Sequence, residues 1–385
     1  MSQLAHASVT AVNLYAGAND GNLTSLRLTS DSRGKYALEK THVTDQGGPQ
    51  AVWLDLDVPN RVLYCLDRSG TANTFAVSGD GALRRIARVN TTLGPVSSAF
   101  YNTNENRGLI LAHYAGSAVT AWNAPPNGNL SLIQTLIYNS PTGPRPSQNV
   151  SHPHDAIVDP TGKFIVVPDL GGDILRVYTF DQQTNLLTQV DQFPTPTGSG
   201  PRHGLFWAPS RSSSGGDGPL YFHVLSELDS TVTSFRVTYP AAGRIAFANV
   251  GVVSAYGTEP AAPNGIGAEI EVSPDNRFIM VSNRNDSSFS IPNLDPANRT
   301  AEASDSLAVF KPADDGALEF VQLAPAGGIW PRHFKMNKAG DLVAVSLQYS
   351  YRVAILARNV STGVLGPFLA HVDGVGEVVT AVWDE

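Results

Sequence analysis

The 385 residues contain a single cysteine, Cys65, which excludes a disulfide framework and a cysteine-ligated metal cluster. Its neighbours Leu63, Tyr64 and Leu66 are apolar, so a buried thiol on a strand is expected. Charged residues make up only 16% of the chain and the net charge is −8. That composition offers no basic footprint for nucleic acid or an anionic membrane, so neither is expected as a partner. No apolar run approaches the roughly 18 residues of a membrane span. Capped stretches with helical periodicity are missing as well. What remains is an all-β composition, with 35 glycines and 26 prolines spread evenly along the chain as many tight turns would require.

The clearest unit runs from Ser151 to Asp181 (SHPHDAIVDPTGKFIVVPDLGGDILRVYTFD). It reads as three short strands, Asp155–Asp159, Phe164–Val167 and Ile174–Phe180, separated by Pro160-Thr-Gly162 and Asp169-Leu-Gly-Gly172 turns. Its second and third strands recur six times. The copies begin near Leu14 (LYAGANDGNLTSLRL), Leu63 (LYCLDRSGTANTFAV), Leu109 (LILAHYAGSAVTAW), Leu220 (LYFHVLSELDSTVTSFRV), Phe278 (FIMVSNRNDSSFSI) and Leu342 (LVAVSLQYSYRVAIL), roughly 46 to 64 residues apart. Seven antiparallel units of that length predict a seven-bladed β-propeller forming one domain over residues 1–385.

Innermost strands are expected at Val52–Leu56, Ser98–Tyr101, Ala156–Val158, Leu205–Trp207, Glu269–Val272 and His333–Met336. The first unit lacks one, and Val378–Asp384 is a spare. Pairing of the C-terminal strand with the N-terminal blade should therefore close the ring.

Compartment is left open. The first ten residues lack the apolar core of a signal peptide. Seven Asn-x-Ser/Thr sequons, at Asn22, Asn90, Asn129, Asn149, Asn285, Asn298 and Asn359, suit secretion if a leader has been removed. Otherwise the chain would be cytoplasmic.

In a blade, the start of the first strand and the end of the second lie at the same face. Aligning the units at the end of strand two gives Ala18, Asp67, His113, Asp169, Glu227, Arg284 and Gln348. Around the start of strand one stand His152, His154, Arg202, His203, Arg332 and His333. The positions are equivalent by repeat but differ in chemistry, as a binding rim would and a repeated structural role would not. Either Arg202 or His203 faces the channel. His152-Pro-His154 lacks the spacing of a metal site. No Gly-x-Ser-x-Gly elbow signals a serine nucleophile, and no helix follows Gly171-Gly172 to make a phosphate loop.

With His154, Pro201-Arg202-His203, Ser226-Glu227-Leu228 and Asn283-Arg284 on the page, the chain resembles the seven-bladed propeller lactonases. That family includes the 6-phosphogluconolactonases and the eukaryotic 3-carboxy-cis,cis-muconate cyclising enzymes. The resemblance spans the chain, takes in Asp169-Leu-Gly-Gly-Asp173, Ser273-Pro-Asp275 and Ala381-Val-Trp-Asp384, and leans toward a fungal branch. It implies His154, Arg202, Arg284 and Glu227 as catalytic residues; the rim read from the repeat register adds His113, Asp169, His203, Arg332, His333 and Gln348 as expected substrate-binding residues. The last blade, with Gly328-Ile-Trp-Pro-Arg-His333, departs from the muconate pattern.

The implied chemistry is cofactor-independent lactone formation or opening on a carboxylated or polyunsaturated small molecule. The arginines would grip carboxylate or oxyanion, and His154 or Glu227 would move a proton. No lysine cluster for a phosphate is evident at the rim. Two other expectations stand beside this one. The first is a cyclase of fungal secondary metabolism, including pericyclic cyclisation, with Tyr114, Trp330 and Tyr349 near its substrate. The second is an interaction propeller without catalysis.

Overall fold

The computed structural model describes residues 10–102, 106–209 and 218–385. Seven four-stranded antiparallel sheets make up the ring, with two short 3-10 turns as the helical content of the described residues. The innermost strands, in blade order, are Val378–Trp383, Ala51–Asp57, Pro95–Tyr101, Ile157–Val158, Pro201–Trp207, Ile266–Val272 and Pro331–Met336. Blade 1 takes its inner strand from the far end of the chain. Val378–Trp383 pairs antiparallel with Thr10–Ala18, and Asp384 accepts a 2.7 Å hydrogen bond from the Tyr15 hydroxyl and binds the Arg61 guanidinium. The expected closure is present.

Seven apolar clusters hold the ring, one between each pair of neighbouring blades. Between blades 4 and 5, for example, Val166 and Val177 pack against Phe222 and Phe235. A second strand such as Val62–Asp67 or Leu342–Leu347 is therefore buried on both faces along its whole length. That is why these strands read as continuous apolar runs instead of alternating ones. Cys65 is one of them, fully buried, with burial pushing its thiol far up.

Blade 6 corrects the sequence reading. Phe289–Ile291 is not its third strand; it pairs with Glu302–Ser304 in a separate two-stranded hairpin. The third strand is Ser306–Pro312, which pairs with Ile279–Arg284. This inserted hairpin accounts for the long interval between the repeats at Phe278 and Leu342.

Candidate active site at the channel mouth

Register places the site. The first residue of each inner strand pairs with the last of the second strand: Val378 with Ala18, Ala51 with Asp67, Pro95 with His113, Pro201 with Ser226, Ile266 with Arg284 and Pro331 with Leu347; in blade 4 an isolated bridge ahead of the inner strand, Pro153 with Asp169, takes this place. An irregularity then follows in blades 1, 2, 3, 5 and 7, so that one residue opposes nothing. Such a bulge bends the strand and re-aims a side chain. The bulged residues are Val379, Val52, Val96, Arg202 and Arg332, and His154 follows Pro153 in the same position in blade 4. In blade 6 this position is Gly267, which still pairs with Asn283, and the irregularity falls one residue later.

The same register corrects the strand-two alignment in blades 5 and 7. Those strands end at Ser226 and Leu347, so Glu227 and Gln348 lie one residue beyond. Their counterparts are Asn19, Arg68, Tyr114 and Leu170, each of which, like Glu227 and Gln348, donates its backbone N–H to the segment entering the inner strand. Arg68 was missed in the sequence because the alignment stopped at Asp67.

At the mouth, Glu227 sits between two guanidinia. Arg202 Nε and Arg284 Nη2 each lie 2.9 Å from its Oε2. Arg202 also donates to the Ala268 carbonyl, and Arg284 to the Gly267 carbonyl at 2.7 Å. Arg284 packs over the Trp330 ring at 5.5 Å. A third cation, Arg332, has no hydrogen-bonded partner among the described residues. Burial and the charges of Arg202 and Arg284 push its guanidinium well below the ordinary arginine value. Burial by itself would raise the Glu227 carboxyl, but Arg284, Arg202 and Arg332 outweigh it and hold the group down to about 2. Glu227 is therefore ionised at neutral pH. One carboxylate among three guanidinia leaves an excess of positive charge, in a chain whose net charge is −8.

His154 borders this cluster. Its ring Nδ1 is buried without a hydrogen-bond partner, and its backbone N–H donates to Pro168 at 2.9 Å. Burial, and then the charges of Arg202, His203 and Arg332, hold the imidazole well below its ordinary value, so it is neutral at pH 7. The Tyr114 ring meets His154 edge-on at 5.5 Å, stacks on His152 at 4.1 Å and carries Arg68 above it at 5.9 Å. His152 donates through Nδ1–H to the Tyr114 carbonyl, 2.7 Å away. Across the rim, Trp330 packs on the half-exposed Tyr349 at 4.8 Å.

His203 lies one level below Arg202, which resolves their ambiguity: Arg202 reaches the rim acid Glu227, while His203 Nδ1 is 2.8 Å from Glu269 Oε1 deeper in the channel. His333 shares that level, its Nε2 4.0 Å from Glu269 Oε2. Trp53, from the opposite side, meets both rings edge-on at 5.5 and 5.6 Å.

The remaining sequence-expected residues are engaged elsewhere. His113 is fully buried, with Nδ1 2.9 Å from the Thr92 carbonyl and Nε2 2.8 Å from the Thr120 hydroxyl, so neither nitrogen is open to a ligand. Asp169 is also fully buried. It accepts from the Ser151 hydroxyl, the His152 N–H at 2.7 Å and Arg176 Nε and Nη2 at 2.9 and 2.7 Å. It thus anchors the segment that delivers His154, as Asp67 does for blade 2 through the Gln50 N–H. Gly171 lets this packing occur, since a Cβ there would stand 1.8 Å from the Val150 carbonyl. Gln348 donates to Glu377 at 3.2 Å, and its Oε1 is buried without a partner.

No group of three or more His, Cys, Asp or Glu side chains among the described residues is arranged to hold a metal ion.

The chain matches the family model described as lactonase, 7-bladed beta-propeller, over residues 10–383. A probable 6-phosphogluconolactonase of Arthroderma benhamiae is 26% identical over 330 residues, covering 84% of this chain and 77% of that one. The Bacillus subtilis 6-phosphogluconolactonase is 26% identical over 356 residues, 91% of each chain. Among solved structures, the periplasmic gluconolactonase of Pseudomonas aeruginosa superposes with a TM-score of 0.77 at 23% identity, covering 97% of this chain and 99% of that one. It shares the fold. Membership in an enzyme family also sets aside a purely non-catalytic platform. The chain belongs to the seven-bladed β-propeller lactonase family.

Proposed function

We propose that the protein hydrolyses a lactone that carries an anionic group, either a carboxylate or a phosphate ester, bound at the channel mouth. The observation that carries this reading is the set of three guanidinia around the single carboxylate of Glu227, with a neutral imidazole beside them. Planar guanidinium forks bind carboxylate and phosphate oxygens in pairs, so the missing lysine cluster does not weigh against a phosphate. Relatives that share the fold and family are named 6-phosphogluconolactonases, which makes a phosphorylated sugar lactone the first candidate.

In this reading Arg332 and Arg284 hold the anionic group, and Arg202 or Arg284 stabilises the oxyanion that forms at the lactone carbonyl. Removing one such donor typically costs about 10²–10³-fold in rate. His154 takes the proton from an attacking water and returns it to the ring oxygen that leaves, a role worth about 10²–10⁴-fold. Glu227, ionised and doubly bound, positions the arginines and does not carry the proton. Anion binding offsets the repulsion that depresses His154, so substrate itself raises the basicity of the imidazole.

Lactone formation by addition of a carboxylate to a double bond is a different reaction on the same groups: the carboxylate oxygen bonds to one alkene carbon, the arginines hold the enolate-like charge, and a proton reaches the neighbouring carbon through His154. The Trp330–Tyr349 pair beside Arg284 favours a second reading, in which the mouth orients a flat unsaturated substrate for another cyclisation.

The test is a product-resolved NMR assay with EDTA present, offering gluconolactone, its 6-phosphate and 3-carboxy-cis,cis-muconate. Hydrolysis of an anionic lactone, lost in Arg332→Ala and His154→Gln, is expected. Equal turnover of charged and uncharged lactones would overturn the role of the arginines, and inert His154→Gln effects would overturn the base.

A further inference from the structure

Below the mouth, three polar groups that the hydrolytic roles above leave unused, His203, Glu269 and His333, run on from His154. The His154 and His203 rings are in contact, their centroids 5.1 Å apart and their planes at 64°. His203 Nδ1 is bonded to Glu269 Oε1 at 2.8 Å, and Glu269 Oε2 lies 4.0 Å from His333 Nε2. Along this string His154 Nδ1, His203 Nε2 and Glu269 Oε2 are all buried without a hydrogen-bond partner. One such atom is costly in a folded interior, and three on neighbouring side chains call for a reason other than packing.

The backbone supplies a second sign. In blade 5 the residue two after the bulge is Gly204, and its blade 7 and blade 2 equivalents are the core residues Phe334 and Leu54. In blade 6 the irregularity is delayed by one residue, between Gly267 and Ile270. A one-residue shift of register sends a side chain to the other face. Glu269 therefore turns to the channel, where the same position in other blades turns to the core.

We propose that His203 and Glu269 form a proton relay behind His154, drawing the proton from the site base and storing it on the Glu269 carboxyl during lactone opening. This rests on the reading of His154 as the base. As water adds, its oxygen bonds to the carbonyl carbon and its proton passes to His154. The two rings touch without a hydrogen bond between them, so a turn of the His154 ring must first bring a nitrogen onto His203 Nε2; His154 then hands over a proton, and His203 releases its Nδ1 proton to Glu269 Oε1. When the ring C–O bond breaks, the proton returns along the string to the departing oxygen, so one water is consumed and the protein is restored.

Burial raises the Glu269 carboxyl and lowers both histidines, which suits a proton held at the glutamate. Other ionisable groups face His203: Arg202 and Arg332 from above, Asp155 from blade 4, and Glu227. Asp155 is already committed, accepting from the Ser97 hydroxyl at 2.6 Å and the Ala156 and Gly204 N–H groups at 2.8 and 3.2 Å. Lys335 faces Glu269 from blade 7, where Glu271 holds it at 2.8 Å. Trp53 packs edge-on against His203 and His333 from blade 2.

The near-isosteric Glu269→Gln keeps the hydrogen bond to His203 but cannot store a proton. With gluconolactone 6-phosphate as probe, kcat should fall by roughly 10- to 100-fold with KM held, and the acid limb of the kcat profile should move. Glu269→Asp should recover part of the loss. An unchanged pH profile and kcat in Glu269→Gln would overturn the relay. A second readout needs no turnover. In protein labelled with 15N-histidine, Glu269→Gln should shift the His154 nitrogen signals, assigned through His154→Gln, and change the pH at which they move. If the wild type turns over no lactone, the hydrolytic reading fails on its own. His154 signals indifferent to Glu269→Gln would overturn the relay in either case.

Discussion

Arg284 contacts Glu227 with Nη2 at 2.9 Å, while its own Nε is buried and has no hydrogen-bond partner. The guanidinium is thus fixed by one edge with a further donor left over. Arg284→Lys keeps the charge but removes the fork, and kcat/KM for an anionic lactone should drop by about 10²-fold or more. Steady-state kinetics on purified protein checks this. Activity within a few-fold of wild type would show that Arg284 contributes charge alone.

Glu227→Gln should weaken the fold as well as the site. Arg202, Arg284 and Arg332 would then face one another without their shared counter-charge, and breaking a buried ion pair costs about 3–5 kcal/mol. The melting temperature should fall, and inorganic phosphate should restore more of it than an equal ionic strength of chloride. A variant that melts like wild type in both salts would show that the three guanidinia need no anion.

Five histidines set the acid side of stability. Burial holds His113 and His333 at about 4, His203 and His223 at about 3, and His154 well below the ordinary 6.5. Because each folded value lies below the unfolded one, the unfolded chain binds more protons as pH falls through 6.5. Stability therefore declines from about pH 6.5 downward and levels off only below the folded values. Each histidine removes about 2 kcal/mol between pH 7 and pH 5. Asp55, Glu269 and Glu271, which burial raises, act in the opposite sense and offset part of this. The midpoint of urea unfolding should be clearly lower at pH 5 than at pH 7. An equal midpoint would mean that the imidazoles are charged in the fold.

Ring closure depends on Asp384. Its carboxylate accepts from Tyr15 and Arg61 and its backbone N–H donates to Asn13 at 2.9 Å. Asp384→Ala should cost about 1–3 kcal/mol, read as a shift in the urea midpoint. Removing residues 378–385 should instead abolish cooperative unfolding, because blade 1 then loses its inner strand and two apolar clusters lose Val378 and Val382.

The seven-blade fold was legible because second and third strands, buried on both faces, leave uninterrupted apolar runs at a regular spacing. Fourth strands such as Leu83–Asn90 are half exposed and mixed in character, so they carry no comparable signal. The inserted hairpin of blade 6 was misread for a related reason: Phe289-Ser-Ile291 has a strand's composition, and only pairing shows which sheet it joins. At the rim, residue types pointed to His154, Arg202, Glu227 and Arg284 before their distances were known. Asp169 and His113 looked equivalent to them, because sequence shows that a polar group stands at a strand end but not that its hydrogen bonds are already taken. Glu269 was read only as the start of an inner strand. Its placement follows from a one-residue delay of an irregularity, which leaves no mark in composition.

The pairing that closes the ring joins groups 369 positions apart, Tyr15 and Asp384. On a ribosome adding about 5–20 residues per second, the N-terminal blade waits roughly 20 to 70 s for the strand that completes it. During that time Thr10–Ala18 presents an unpaired edge, open to any extended segment nearby. Co-translational folding must therefore leave this blade for last, and the nascent protein is exposed to strand exchange with other copies until its final segment emerges.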